Sequence, residues 1–172
     1  MNKRFLIYML LVIAAMIGIY AYVGGFKQVD ITKTTSSQIF IAGKLYEGKP
    51  DAEELGDLFQ EVGQMVEQKK IVGEPAGIYY NNPEKKSNTL RAFIGVAIAD
   101  TTVALPKGYK VRIVKAGQPV LQGTLDASQM IAPKKIYEAL FAYAEDHKIK
   151  LKNYFVERYP DRESAVIQVG LE

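Results

Sequence analysis

Residues 153–171, NYFVERYPDRESAVIQVGL, decide how the rest of the chain is read. Aromatic, β-branched and charged residues alternate through 153–159, and 164–171 is a second run of the same kind. Pro160 and Asp161 between them supply a turn, so the pair reads as an antiparallel hairpin. Alternate residues of a strand share a face. Phe155, Glu157 and Tyr159 therefore point one way, and Tyr154, Val156 and Arg158 the other.

Upstream of this hairpin, Pro133 suits the first turn of a helix. Ile136, Tyr137, Leu140, Phe141 and Ala144 mark that helix's buried stripe. Residues 109–116, YKVRIVKA, read as a strand joined to the helix by a long connection containing Gly and Pro. The same order occurs earlier. Residues 39–46 form a strand, and Asp51, Glu53 and Glu54 suit a helix amino terminus. Leu55, Leu58, Phe59, Val62, Met65 and Val66 recur at helical spacing up to Lys69 and Lys70. Residues 76–81 and 90–99 are two strands around the turn NNPEKKSN. Residues 39–99 and 109–171 thus both read strand, helix, strand, strand. The expected fold is α+β: two duplicated units form an antiparallel sheet with two helices on one side and a cleft where the halves meet.

Residues 5–23, FLIYMLLVIAAMIGIYAYV, carry no charge. A helix of that length extends about 28 Å, near the thickness of a bilayer core. Tyr20 and Tyr22 fall at its far end, where amphipathic rings favour the interface. A cleaved signal peptide would have a shorter apolar core, about 7–15 residues, and a small-residue cleavage site. No such site follows Tyr20. The expected organisation is an uncleaved single-pass anchor at 1–26, a polar tether at 27–37 ending in KTTSS, and a body at 38–172. Lys3 and Arg4 favour a cytoplasmic amino terminus, with the body outside the cytoplasmic membrane. Lys27 and Lys33 after the span weaken that bias.

Composition narrows the chemistry. The 172 residues include no cysteine and one histidine. That excludes disulfides, thiol nucleophiles, thiolate zinc sites and two-histidine metal sites. The formal charge is +3, from 22 Lys and Arg against 19 Asp and Glu. Lys3 and Arg4 precede the apolar run, so the body is nearly neutral. Nucleic acid is not expected as a partner, because phosphate binding needs concentrated positive charge. No glycine loop suits a phosphate, and no cofactor or metal is expected. His147 lies at a helix end, where it most simply interacts with the last carbonyls. Lys134-Lys135 and Lys85-Lys86 read as solvated basic pairs. Arg91 is either solvated or paired with an acid across the sheet.

Two strings carry a resemblance. GIYYNNP, residues 77–83, is a tyrosine-containing strand end and turn in the first unit. YFVERYPD, residues 154–161, places a Glu-x-Tyr strand in the second. In this order, within matching repeats, they resemble the GyrI-like small-molecule-binding domain over most of 38–171. That family comprises effector domains of multidrug-sensing transcription regulators, inhibitors of DNA gyrase and related stand-alone proteins. The resemblance implies a cleft between two strand–helix–strand–strand units. In members that bind cationic aromatic drugs, an acidic residue of the last hairpin sits in that cleft among aromatic rings. Glu157 matches that residue, followed by Tyr159, and Tyr79 matches the first-unit tyrosine. The late motif usually continues to Asp-Pro, whereas here it runs Glu157-Arg158-Tyr159-Pro160-Asp161.

A carboxylate between rings suits a flat cation, through stacking, cation–π attraction and counter-charge. The candidate ligand-binding residues are Glu157, Tyr159, Tyr79 and Phe155. The plainer alternatives are a surface glutamate beside aromatics packed on a helix, and Tyr79 as a core residue. Three functions compete. The first is a membrane-anchored module that senses or sequesters a small aromatic or cationic ligand. The second is a hydrolase of strained-ring electrophiles, an activity the resemblance attaches to some family members, with Glu157 as the catalytic group. The third is a protein-interaction scaffold whose cleft is closed.

Overall fold

The hairpin at the carboxyl end forms, but its turn is Arg162-Glu163, with Pro160 and Asp161 still in the strand. The computed structural model describes residues 3–85 and 89–172. Lys86 and the end of the NNPEKKSN turn lie outside the described residues. In chain order the elements are α1 (Lys3–Tyr22), β1 (Asp30–Thr35), β2 (Ile39–Gly48), α2 (Glu53–Glu67), β3 (Glu74–Tyr79), β4 (Leu90–Ile98), β5 (Lys110–Val114), β6 (Pro119–Leu125), α3 (Ala132–Asp146), β7 (Leu151–Asp161) and β8 (Ser164–Leu171).

The eight strands form one antiparallel sheet in the order β1-β6-β8-β7-β3-β4-β2-β5. The order reads symmetrically outward from the β7–β3 seam, as two copies of one unit related by a pseudo-twofold would. The helix ends repeat too. Lys69 and Lys148 both adopt left-handed backbone, at φ 53° and 52°. Lys70 N–H donates to the Met65 carbonyl and Ile149 N–H to that of Ala144, which are matching C-terminal caps.

Two expectations require correction. The second unit opens with β6, not with residues 109–116. YKVRIVKA does form a strand, β5, but it reverses at Gly117 (φ 75°) and pairs with β2 at the sheet edge. Its largely exposed pattern suits an edge. The supposed connection holds β6, whose internal glycine and terminal proline made it look irregular. Second, the polar segment 27–37 is not a free tether. Asp30–Thr35 pairs with β6 along its whole length. Threonine favours strands even when both faces are wet.

The sheet is strongly curled. Residues 36–38 join β1 to β2, and 115–118 join β5 to β6, although each pair lies near opposite ends of the strand order. A flat sheet would separate β1 from β2 by about 29 Å at roughly 4.8 Å per strand. A three-residue link reaches only about 14 Å. Gly43 and Gly95 pair across β2 and β4. A Cβ on Gly95 would collide with the Ala42 carbonyl, and one on Gly43 with the Ile94 carbonyl.

Both helices pack on one face. Leu55, Leu58 and Val62 of α2 and Ile136, Tyr137 and Leu140 of α3 join the main core with Ile94, Leu121, Phe155 and Ile167. The opposite, concave face holds a smaller core of Ile39, Ile41, Ala76, Ile78, Phe93, Val114 and Val156.

α1 is long and apolar enough to cross a membrane, with mean hydropathy 2.3 and none of its span buried. Its end is seated on the body. Ser128 N–H donates to the Val23 carbonyl. Lys135 is not merely solvated: its ammonium donates to the carbonyls of Gly25 and Lys27, the latter at 2.6 Å. A cation at the carbonyl-rich end of a helix is favourable.

Candidate functional site

The β7–β3 seam sets the site. Gly77 of β3 is the register partner of Glu157 on β7. Cross-strand partners share a face, and the missing side chain at Gly77 makes room for the Tyr79 ring, which a Cβ there would meet at 3.0 Å. α2 stands on one side and supplies Phe59, Val62 and Gly63. Tyr79, Tyr159 and Gln129 complete a cleft of about 340 Å³. Gln129 is held over it by its amide, which donates to the Asp161 carbonyl at 2.7 Å. The volume suits a small ligand; such sites span about 300–1,000 Å³.

Glu157 is 4% exposed. Its Oε1 accepts a hydrogen bond from the Tyr137 hydroxyl at 2.6 Å, and its Oε2 one from Tyr159 at 2.7 Å. Tyr79 stands close enough to stabilise the same carboxylate. Among the described residues no Lys, Arg or His forms an ion pair with it. Burial pushes the Glu157 carboxyl above its ordinary 4.5; the three phenols oppose the shift and the Glu84 charge adds to it. Burial, then the adjacent carboxylate, raises Tyr137, and likewise raises Tyr79 and Tyr159 well above their usual value. The phenols therefore stay protonated and act as donors.

Linkage fixes the direction with pH. Between 4.5 and the raised folded value, the native state holds a proton that the unfolded chain has released. This group's contribution is most favourable below 4.5 and declines as pH climbs through that window.

The structure brings together three of the four residues singled out from sequence: Glu157, Tyr159 and Tyr79 border the cleft. Phe155 does not. It is 2% exposed and packs edge-on against the stacked rings of Tyr137 and Phe141, with centroids 5.7 and 6.2 Å away. It is the wall behind Glu157. The residue that sequence reading passed over is Tyr137, taken only as part of the α3 stripe. Its signal is chemical: a buried phenol needs a hydrogen-bond partner, and a buried acid needs donors.

His147 and Arg91 lie outside the cleft. The His147 ring stacks on Tyr143 at 3.9 Å and its Nδ1 lies 2.9 Å from the Tyr143 carbonyl, at the end of α3 as expected. Arg91 pairs with Glu47, its partner across β4 and β2, at 3.6 Å and lies over the Tyr80 ring. Among the described residues no cluster suits a metal ion.

One prediction arises here. Tyr137→Phe removes a donor from a buried carboxylate, at a cost of about 1–3 kcal/mol. The loss should grow as pH rises and Glu157 ionises, measured by thermal or denaturant unfolding at pH 4 and pH 8. Equal losses at both pH values would show that the Tyr137 bond does not serve the charged form.

No family model and no curated protein matches the sequence. Solved structures share the fold at low identity. An integron cassette protein from the mobile metagenome of Vibrio cholerae aligns with a TM-score of 0.62 at 13% identity, over 85% of this chain and 97% of that one. SAV2435, solved bound to tetraphenylphosphonium, aligns at 0.60 and 11% identity, over 83% and 94%. The EcmrR C-terminal domain aligns at 0.56 and 16% identity, over 84% and 98%. A hydrolase from Listeria innocua aligns at 0.53 and 11% identity, over 84% and 93%.

Proposed function

We propose that this chain is a membrane-anchored, GyrI-like binding module for a small cationic aromatic ligand, which it senses or sequesters. The observation that carries this reading is Glu157: a buried carboxylate with no cationic partner among the described residues, facing a cleft edged by rings. A desolvated anion is costly when unpaired. An entering cation supplies the missing charge, and Tyr159, Tyr79 and Phe59 supply apolar and π surface. α1 holds the module at the bilayer, in which lipophilic cations concentrate. The fold shared with a tetraphenylphosphonium-bound protein supports this ligand class.

The test is a titration of the full chain in uncharged detergent micelles, corrected for empty micelles. Tetraphenylphosphonium should bind, while tetraphenylborate, of the same shape and opposite charge, should not. Equal binding of both would reduce the cleft to a hydrophobic hollow.

The hydrolase reading keeps one support, the shared fold of a named hydrolase. A carboxyl with raised proton affinity is also suited to general acid–base work. It predicts conversion of a strained-ring electrophile to its hydrolysed product, lost in Glu157→Gln, which binding alone does not.

A further inference from the structure

The segment after α1 is mounted tightly on the body. Gly24 and Gly25 N–H donate back to the carbonyls of Ala21 and Tyr20, and the Phe26 ring meets Tyr20 edge-on at 5.0 Å. Gly24 packs so closely on the loop after β6 that a Cβ there would meet the Ala127 Cβ at 2.7 Å. Ser128 N–H donates to the Val23 carbonyl at 3.0 Å, and Lys135 clasps the carbonyls of Gly25 and Lys27. No slack segment separates α1 from the body.

α1 has no spare length either. Its 20 residues extend about 30 Å, the thickness of a bilayer core. With α1 in the membrane, Val23 to Phe26 lie at headgroup level, and the loop bonded to them lies there too.

That loop, residues 126–131, carries the most exposed large apolar side chain among the described residues: Met130, at 89%. On the anchor side of the junction, Tyr22 and Phe26 are 88% and 67% exposed. All three gain by leaving water, and a ring such as Tyr22 favours the headgroup zone. Charges around the junction balance, Lys27 and Arg162 against Asp126 and Glu163, so no net charge opposes a zwitterionic surface. Gln129, which lines the Glu157 cleft, stands between Ser128 and Met130 in the chain. Its N–H and its amide donate to the Arg162 and Asp161 carbonyls, at 3.4 and 2.7 Å.

We infer that the 126–131 loop is a second membrane contact, with Met130, together with Tyr22 and Phe26, set into the interface of the leaflet that α1 leaves. The partner is the lipid surface itself. Two points of contact fix the tilt of the body and hold the Gln129 wall of the Glu157 cleft against the bilayer. The inference rests on the anchored reading above and on nothing about what the cleft binds.

The chain has no tryptophan, so one introduced indole is a unique reporter. Three full-length variants are reconstituted in phosphatidylcholine vesicles: Met130→Trp, Ile13→Trp within α1, and Asp146→Trp at the far end of α3. The vesicles carry lipid with a nitroxide quencher either near the top or near the middle of the acyl chain. α3 has 15 residues and is about 22 Å long, so the exposed Asp146 stands well away from the loop. Met130 is exposed, so its replacement should leave the fold intact. Met130→Trp should lose about half of its emission or more to the shallow quencher, as a side chain about 5–10 Å into the interface does. Ile13→Trp should be quenched most by the deep nitroxide, and Asp146→Trp should keep its emission. Quenching of Ile13→Trp without Met130→Trp, or equal quenching of Met130→Trp and Asp146→Trp, would overturn the loop contact and leave the anchor standing. An unquenched Ile13→Trp would overturn the anchor and the contact with it. No ligand enters the measurement, so its outcome is separate from that of the Glu157 cleft.

Discussion

Glu157→Gln should lower affinity for tetraphenylphosphonium about 30-fold or more, equivalent to roughly 2 kcal/mol. The substitution is nearly isosteric. The Gln oxygen still accepts from a phenol, so the cleft keeps its shape and loses only its charge. Wherever Glu157 is ionised the free protein should gain from the same change, because a desolvated anion without a cationic partner has been removed. Weaker binding with unchanged or improved thermal stability is therefore the expected signature. Unchanged affinity would remove Glu157 from the site. A loss of affinity accompanied by unfolding would show that the carboxylate supports the phenols more than any ligand.

The second large effect lies far from the cleft. Gly95→Ala should destabilise the body by about 3 kcal/mol or more, since overpacking against backbone cannot relax by rotamer change. For a domain of this size that corresponds to a fall in Tm of about 10 °C. The added methyl would meet the Ala42 carbonyl and the Gly43 backbone of β2. Gly56→Ala is the control, because a Cβ on Gly56 of α2 meets nothing within 4 Å. There the change should be neutral or stabilising, as helix propensity predicts. Equal effects at the two positions would contradict the packing account.

Particular residues show how far the sequence could be read. The α2 and α3 stripes and the alternation of β7 were plain because burial on one face imposes a period. Faces followed from that alternation, so Glu157 and Tyr159 were placed together correctly. Phe155 shares their face but stands further along the strand, beneath α3, and alternation alone does not report position along a strand relative to a helix. β1 and β6 escaped because their cues were mixed. DITKTT is polar on both faces, and PVLQGTL contains Pro and Gly. Only pairing with each other and with β8 makes them strands, and pairing is a long-range fact. The Tyr137 bond to Glu157 joins two elements and is invisible to any local pattern. The curl depends on two short links whose ends lie far apart in strand order.

The seating of α1 bears on how the module would work at a membrane. Lys135 reaches from α3 to the carbonyls that follow α1, and α3 also carries Tyr137, the donor to Glu157. One helix thus touches both the segment that follows α1 and the carboxylate.

Proton release on binding is the measurement that addresses the carboxylate most directly. Tetraphenylphosphonium is titrated into the full chain in buffers of different ionisation enthalpy, from pH 4.5 to 7.5. Because the cation requires the ionised carboxylate and the free protein holds its proton more tightly than usual, wild type should release up to one proton per ligand. Affinity should rise with pH and then level off, and Glu157→Gln should release none. Binding that is tight, independent of pH and free of proton release would contradict the account.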